Sequence, residues 1–250
     1  MIEINMETFA GIECLHASPV GQRHHPLPTI LFFHGFTSSK EVYSWSSVAL
    51  AMAGFRVILP DADLHGARHN GNDEQRLGHF WEILRSNIDE VPLLEAALRE
   101  QGLVAQQRIA LAGASMGGMT ALGAMARYPR FACAACLMGS GYFMSLCQTL
   151  FPPGVADTTS AQQDVVCGRT ATLAEYDIRK RLEKVADRPL LVWHGDADEL
   201  VPVTESLRLE KDLREAKLND NLHMVIEKGA GHRITPTALT VLVTFFQQHL

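Results

Sequence analysis

A serine lies between two glycines in Gly113-Ala114-Ser115-Met116-Gly117, where an apolar run, RIALAG, gives way to a small-residue helical pattern, MGGMTALGAMARY. A serine hydroxyl attacks a carbonyl only if it stands clear of the backbone. A tight strand-to-helix turn achieves this by holding the serine in a strained conformation, and a glycine on each side leaves room for the close approach that the turn forces. The helix that follows aims its N-terminal N–H groups at the site, where they favour a developing negative charge. A serine that merely caps the helix is the competing reading. The placement of G-x-S-x-G between strand and helix favours a nucleophile, and the chemistry is then acyl transfer.

A nucleophilic serine needs a base, and the base needs an orienting acid; in a strand-turn-helix setting of this kind they follow in the order serine, acid, histidine. His232 occupies a Gly-containing loop, EKGAGHRITP, between the last strand pattern and the final helix, and is expected to be the base. Upstream, PLLVWHGDADELVP ends a strand in a loop with three carboxylates, Asp196, Asp198 and Glu199. The stretch after the strand at 133–138 offers no carboxylate before Asp157. The D-x-x-V-P spacing, two residues ahead of Val201-Pro202, selects Asp198, and Asp196 beside Gly195 reads as a turn residue.

The tetrahedral oxyanion needs two donors. One is expected from the backbone N–H of Met116, the residue after the nucleophile, and the second from that of Phe36, in the FFHGFTSSKE loop that Gly35 lets turn sharply. The side chain of Phe36 is then free to line the acyl pocket. His34, His65 and His194 each precede a glycine near a strand end and are expected to brace loop backbone rather than react, and His24 and His25 to face solvent. The histidines are scattered near strand ends and no H-x-x-E-H spacing occurs, so no metal and no cofactor is expected. Cys133 and Cys136 have C-x-x-C spacing, but they lie in the apolar run FACAACLM, where positions i and i+3 of a strand face opposite sides. They read as buried thiols, and five cysteines in a chain of this length argue against a disulfide framework.

The elements that must position these groups follow from periodicity. Short runs apolar on both faces, at 29–33, 55–59, 108–113, 133–138, 189–194 and 222–227, alternate with helical patterns at about 41–53, 73–101, 117–128, 175–185, 204–217 and 236–249. Continuous apolar runs suit parallel strands covered on both sides, and the alternation predicts an α/β sandwich, with the first 17 or so residues as an antiparallel edge hairpin. Ser140 to Ala186 is too long for a simple αβ connection, so it is expected to form an insert over one end of the sheet. Its apolar residues Tyr142, Phe143 and Phe151 are expected to roof the substrate pocket, the alternative being that they pack the insert onto the core.

Composition limits the partners. With 22 Lys and Arg against 28 Asp and Glu, a net charge of −6, and no basic run, nucleic acid is excluded as a partner. No apolar run approaches the roughly 20 residues of a membrane span. MIEINMETF, with two glutamates and no basic residue, lacks the pattern of a secretory signal, so a cytoplasmic location is expected. Nothing in the sequence sets an oligomeric state.

With FFHGFTSS, GASMGG, HGDADELVP and GHR in that order, the chain resembles the α/β-hydrolase superfamily, in particular its dienelactone hydrolase and prolyl oligopeptidase-like esterase branch. The resemblance implies a single α/β-hydrolase domain over 1–250, with about 140–186 as a small cap, and Ser115, Asp198 and His232 as triad. It also implies Phe36 and Met116 as oxyanion donors and hydrolysis of short-chain carboxylic esters without a metal. A dienelactone hydrolase proper would carry cysteine at 115, and serine there points to a general esterase. A thioesterase or peptidase with the same triad, or a ligand-binding protein on the same fold, are the alternatives.

Overall fold

The computed structural model describes residues 1–150 and 171–250. The chain opens with a hairpin, β1 (Ile2–Phe9) and β2 (Ile12–Pro19), and continues with β3 (Leu27–Phe33), helix α1 (Ser44–Met52) and β4 (Arg56–Pro60). Helices α2 (Asp73–Gly78) and α3 (Phe80–Glu100) lead to β5 (Val104–Ala114), α4 (Met116–Arg127) and β6 (Ala134–Leu137). After the 140–186 interval come β7 (Leu190–Gly195), α5 (Thr204–Glu215), β8 (Leu222–Glu227) and α6 (Pro236–His249). The strands form one sheet in the order β1-β2-β4-β3-β5-β6-β7-β8, with the pairs β1/β2 and β2/β4 antiparallel and every other pair parallel. This is the α/β sandwich with an antiparallel edge hairpin that the alternating pattern predicts, and the α/β-hydrolase arrangement that the resemblance implies.

Strand alternation divides the core. Leu31 and Phe33 of β3, with Ile109 and Leu111 of β5, join one buried cluster with residues of α3 and α4. Ile30, Phe32, Ala110 and Ala112 face the other way, against Leu50 of α1 and Leu242, Phe245 and Phe246 of α6. Both faces are therefore covered, which is why these strands read as continuous apolar runs. From β3 the chain goes out to β4 on one side and then crosses to β5 on the other, so β3 and β5 flank the switch point where sites of open α/β sheets form.

Two expected helices are corrected. The pattern at 73–101 is split at His79, directly after Gly78, because glycine is a poor helix former in the middle of a run. The short first piece is capped by Asn72, whose side chain accepts from the Gln75 N–H at 2.9 Å. In place of a helix over 175–185 there is a 3₁₀ turn at Ile178–Lys180 and a single turn at Leu182–Val185. Among the described residues, no helix is long and apolar enough to cross a membrane.

Candidate active site

Ser115 follows the last residue of β5, with φ +57°, a conformation that L side chains rarely adopt. The two glycines of the motif have separate jobs. A Cβ on Gly117 would run into the backbone of Phe33 and His34, and one on Gly113 would run into the backbone of Gly117. The helix start is thereby pressed against both β5 and the end of β3, and Ser115 is fixed beneath the loop that leaves β3. A Cβ on Gly35 in that loop would lie 3.5 Å from the Ser115 Cβ and 2.9 Å from the Tyr43 hydroxyl.

The three residues expected to cooperate are brought together from three strand ends. Ser115 Oγ lies 2.9 Å from His232 Nε2, and His232 Nδ1 lies 2.7 Å from Asp198 Oδ2. Asp198 Oδ1 accepts from the Leu200 and Val201 N–H groups at 2.9 and 3.0 Å, which orients the carboxylate. Its side chain is wholly buried, while that of His232 is 20% exposed. Asp196 does more than turn the chain: it accepts from the Gly229 N–H at 2.6 Å, tying the loop of the acid to the loop of the histidine. Glu227 ties the base of the histidine loop in turn, accepting from Trp193 Nε1 at 3.2 Å and from the Thr235 hydroxyl at 2.7 Å. The bonds from Gly229 to Asp196 and from Trp193 to Glu227 span 33 and 34 residues, and no local pattern marks them.

On the other flank, two buried histidines hold the loop after β3. His34 Nε2 accepts from the Ala62 N–H at 3.0 Å, so Nδ1 carries the proton and donates to the Gly35 carbonyl at 2.7 Å. His65 Nε2 accepts from the Thr37 N–H at 2.9 Å, and its Nδ1 donates to the Asp63 carbonyl at 2.7 Å. Burial holds both rings below the usual histidine range, His65 to about 4. Both act as braces, as their strand-end positions suggested. The same loop is anchored by Lys40, wholly buried, which bonds Asp61 through its backbone N–H at 2.8 Å and through Nζ.

A cavity of about 290 Å³ opens beside Ser115 and His232. Phe36 and Phe80, packed edge to face at 4.9 Å, form part of its wall with Tyr43, Leu77, Leu150 and Val201. Among the described residues lining it, none carries a permanent charge. Met116 is buried at the first position of α4, where a backbone N–H has no acceptor within its own helix.

The expected pocket residues are corrected. Tyr142 and Phe143 are wholly buried and belong to the core, not to this cavity. The Tyr142 hydroxyl donates to Asp212 at 2.6 Å with Arg208 stacked 3.9 Å over the ring, and Phe143 packs near Trp81 at 6.3 Å. Their apolar surface serves to seat the start of the insert. Phe151 lies outside the described residues. The part of the roof missed from sequence is Leu77 on α2, a lone apolar side chain half exposed on a polar helix. Cys133 and Cys136 are buried, and burial pushes both thiols up to about 12, far from a reactive thiolate. Among the described residues, no three His, Cys, Asp or Glu side chains cluster as metal ligands do.

Known proteins are similar to the chain over its whole length. The model of the prolyl oligopeptidase family matches residues 41–250. Esterase YjfP of Escherichia coli (strain K12) is 50% identical over 250 residues, covering all of both chains. Putative esterase YitV of Bacillus subtilis (strain 168) is 32% identical over 259 residues, again covering both completely. Among solved structures, TT1662 from Thermus thermophilus superposes with a TM-score of 0.76 at 24% identity, over 99% of this chain and 98% of that one, a likeness of fold.

Proposed function

The chain belongs to the prolyl oligopeptidase family of α/β-hydrolases, and from that membership and the similarity to named esterases we propose that it is a serine carboxylesterase acting on small esters. The observation that carries this reading is the continuous relay from Ser115 through His232 to Asp198, with both links at hydrogen-bond length. Ser115 attacks the ester carbonyl while His232 Nε2 takes its proton. Asp198 holds the imidazole with its proton on Nδ1 and stabilises the imidazolium that forms. Collapse of the tetrahedral intermediate expels the alcohol, which takes the proton from His232, and water then releases the acid by the same steps in reverse order.

The oxyanion is assigned to the backbone N–H groups of Met116 and Phe36. The Gly35 carbonyl that accepts from His34 belongs to the same peptide unit as the Phe36 N–H. In a trans peptide the two point in opposite directions, so His34 turns that N–H away from itself and fixes its plane. A donor fixed before reaction needs no reorganisation when charge develops, which is where electrostatic catalysis gains most.

The cavity supports short acyl chains, since its volume lies at the bottom of the range of roughly 300–1,000 Å³ common for ligand pockets. The lack of charged side chains among its described lining residues favours neutral esters over peptides, whose charged termini would need a counter-ion. We take residues 1–250 as a single domain, with about 140–186 as a small cap. The test is Ser115→Ala: loss of p-nitrophenyl butyrate hydrolysis and of covalent fluorophosphonate labelling, with an unchanged circular dichroism spectrum, is expected. An undiminished rate would remove the mechanism.

A further inference from the structure

A second imidazole lies behind the acid. His194, near the end of β7, is wholly buried, and both its ring nitrogens are engaged. Nε2 is 2.8 Å from the Val201 carbonyl oxygen and 3.3 Å from Asp198 Oδ2, while Nδ1 is 2.7 Å from the Ser206 hydroxyl. A carbonyl only accepts, so Nε2 carries the proton. Burial holds this ring below the usual histidine range, which favours its neutral form. Nδ1 is then a lone pair, and the Ser206 hydroxyl donates to it. The proton on Nε2 is directed at the Val201 carbonyl, with Asp198 Oδ2, the oxygen that also accepts from His232 Nδ1, 3.3 Å from the same nitrogen.

We propose that His194 is a positioning residue for the triad, a donor on the buried side of Asp198 that fixes the carboxylate and sets how much of its charge reaches His232. The proposal rests on the triad reading above. Two imidazoles thus share one carboxylate oxygen: the partly exposed one exchanges a proton with Ser115, and the buried one does not titrate during the reaction. Asp198 and His232 are the ionisable groups that act on His194, with Ser206 and the Val201 carbonyl as its neutral partners. On the solvent side of His232, Glu199 lines the neighbouring groove.

A donor on a carboxylate oxygen disperses its negative charge. Removing it leaves more charge acting on His232, so the imidazolium is favoured and the base becomes loaded with a proton at higher pH. The acid side of the profile of kcat/KM against pH then moves upward. The carboxylate also loses one anchor, which lowers kcat while leaving KM, set by the cavity, unchanged.

His194→Phe, His194→Gln and Ser206→Ala test this with p-nitrophenyl butyrate across pH. In His194→Phe, kcat is expected to fall about tenfold or more, well short of the roughly 10⁴ that loss of the acid itself can cost. Its acid limb is expected to move up by about half a pH unit. His194→Gln restores most of both, because its amide nitrogen takes the place of Nε2 and donates to the same two oxygens. Ser206→Ala keeps the ring but loses the hydroxyl that selects its tautomer, and shifts the limb the same way by less. It carries the test with the Gln variant if the Phe variant does not fold. An acid limb that stays put or moves down, or a Gln variant no better than the Phe variant, overturns the proposal. Retained activity in Ser115→Ala would instead overturn the triad reading, so the two failures are distinguishable.

Discussion

His232 and His65 make the same number of bonds on opposite flanks of Ser115, one through each ring nitrogen, yet they are fitted for different work. His232 sits between a hydroxyl and a carboxylate, both side chains able to exchange or stabilise a proton, and it is 20% exposed. His65 sits between a backbone N–H and a backbone carbonyl, which cannot, and it is wholly buried. An imidazole between backbone groups is a rigid spacer with a locked tautomer. One between a hydroxyl and a carboxylate that is also partly exposed, as His232 is, can pass a proton on the triad reading, whereas His194, with similar partners, is wholly buried. Partners and exposure together, rather than the presence of histidine near the nucleophile, separate the two roles.

On the triad reading, the largest effect should come from the flank of His232. Asp198→Asn removes the charge that holds His232 in its working tautomer and is expected to lower kcat by about 10⁴. Asp196→Asn, which can still accept from Gly229, should cost far less; equal losses at both positions would mean that the loop acts by packing alone. On the structural flank the expected effect is on stability. His65 has a value of about 4 when folded and about 6.5 when unfolded, so between these pH values the unfolded state binds more protons. The contribution is fully present above about pH 6.5 and declines as pH falls toward 4, by at most about 1.4 kcal/mol per pH unit. Urea unfolding of His65→Gln, which cannot titrate, should show a shallower loss over that window than the native chain; parallel curves would mean that His65 is already protonated. The smallest effect concerns the wall between the flanks. Leu150→Ala should shift relative kcat/KM toward hexanoate over butyrate esters by about 1 kcal/mol, roughly fivefold. Tyr142→Phe should leave that profile alone, and a shift there of similar size would return Tyr142 to the pocket.

The parts of the site legible in the sequence are those that short-range pattern specifies. The elbow is written in five consecutive residues between a strand and a helix, and Asp198 and His232 each sit just beyond a strand whose apolar run marks its end. The hairpin and the doubly covered sheet are legible for the same reason, since burial on both faces leaves continuous apolar runs. The roof was not, because apolar character alone does not say which buried surface it serves. Tyr142 and Phe143 are as apolar as any acyl pocket requires, but contacts with Asp212, Arg208 and Trp81, far along the chain, take them into the core. The tie from Asp196 to Gly229 and the contact of His194 with Asp198 are likewise tertiary, and their residues look like ordinary strand-end punctuation.

The backbone of Ser115 has an evolutionary consequence. A side chain held at φ +57° costs about 1–3 kcal/mol that glycine in the same place would largely avoid. For a protein of marginal stability that is a sizeable standing disadvantage, and many substitutions elsewhere would be tolerated more easily with it gone. A lineage released from the need to cleave its substrate would therefore gain, in one step, by replacing this serine with glycine. The elbow is for that reason a place where loss of use should leave an early trace.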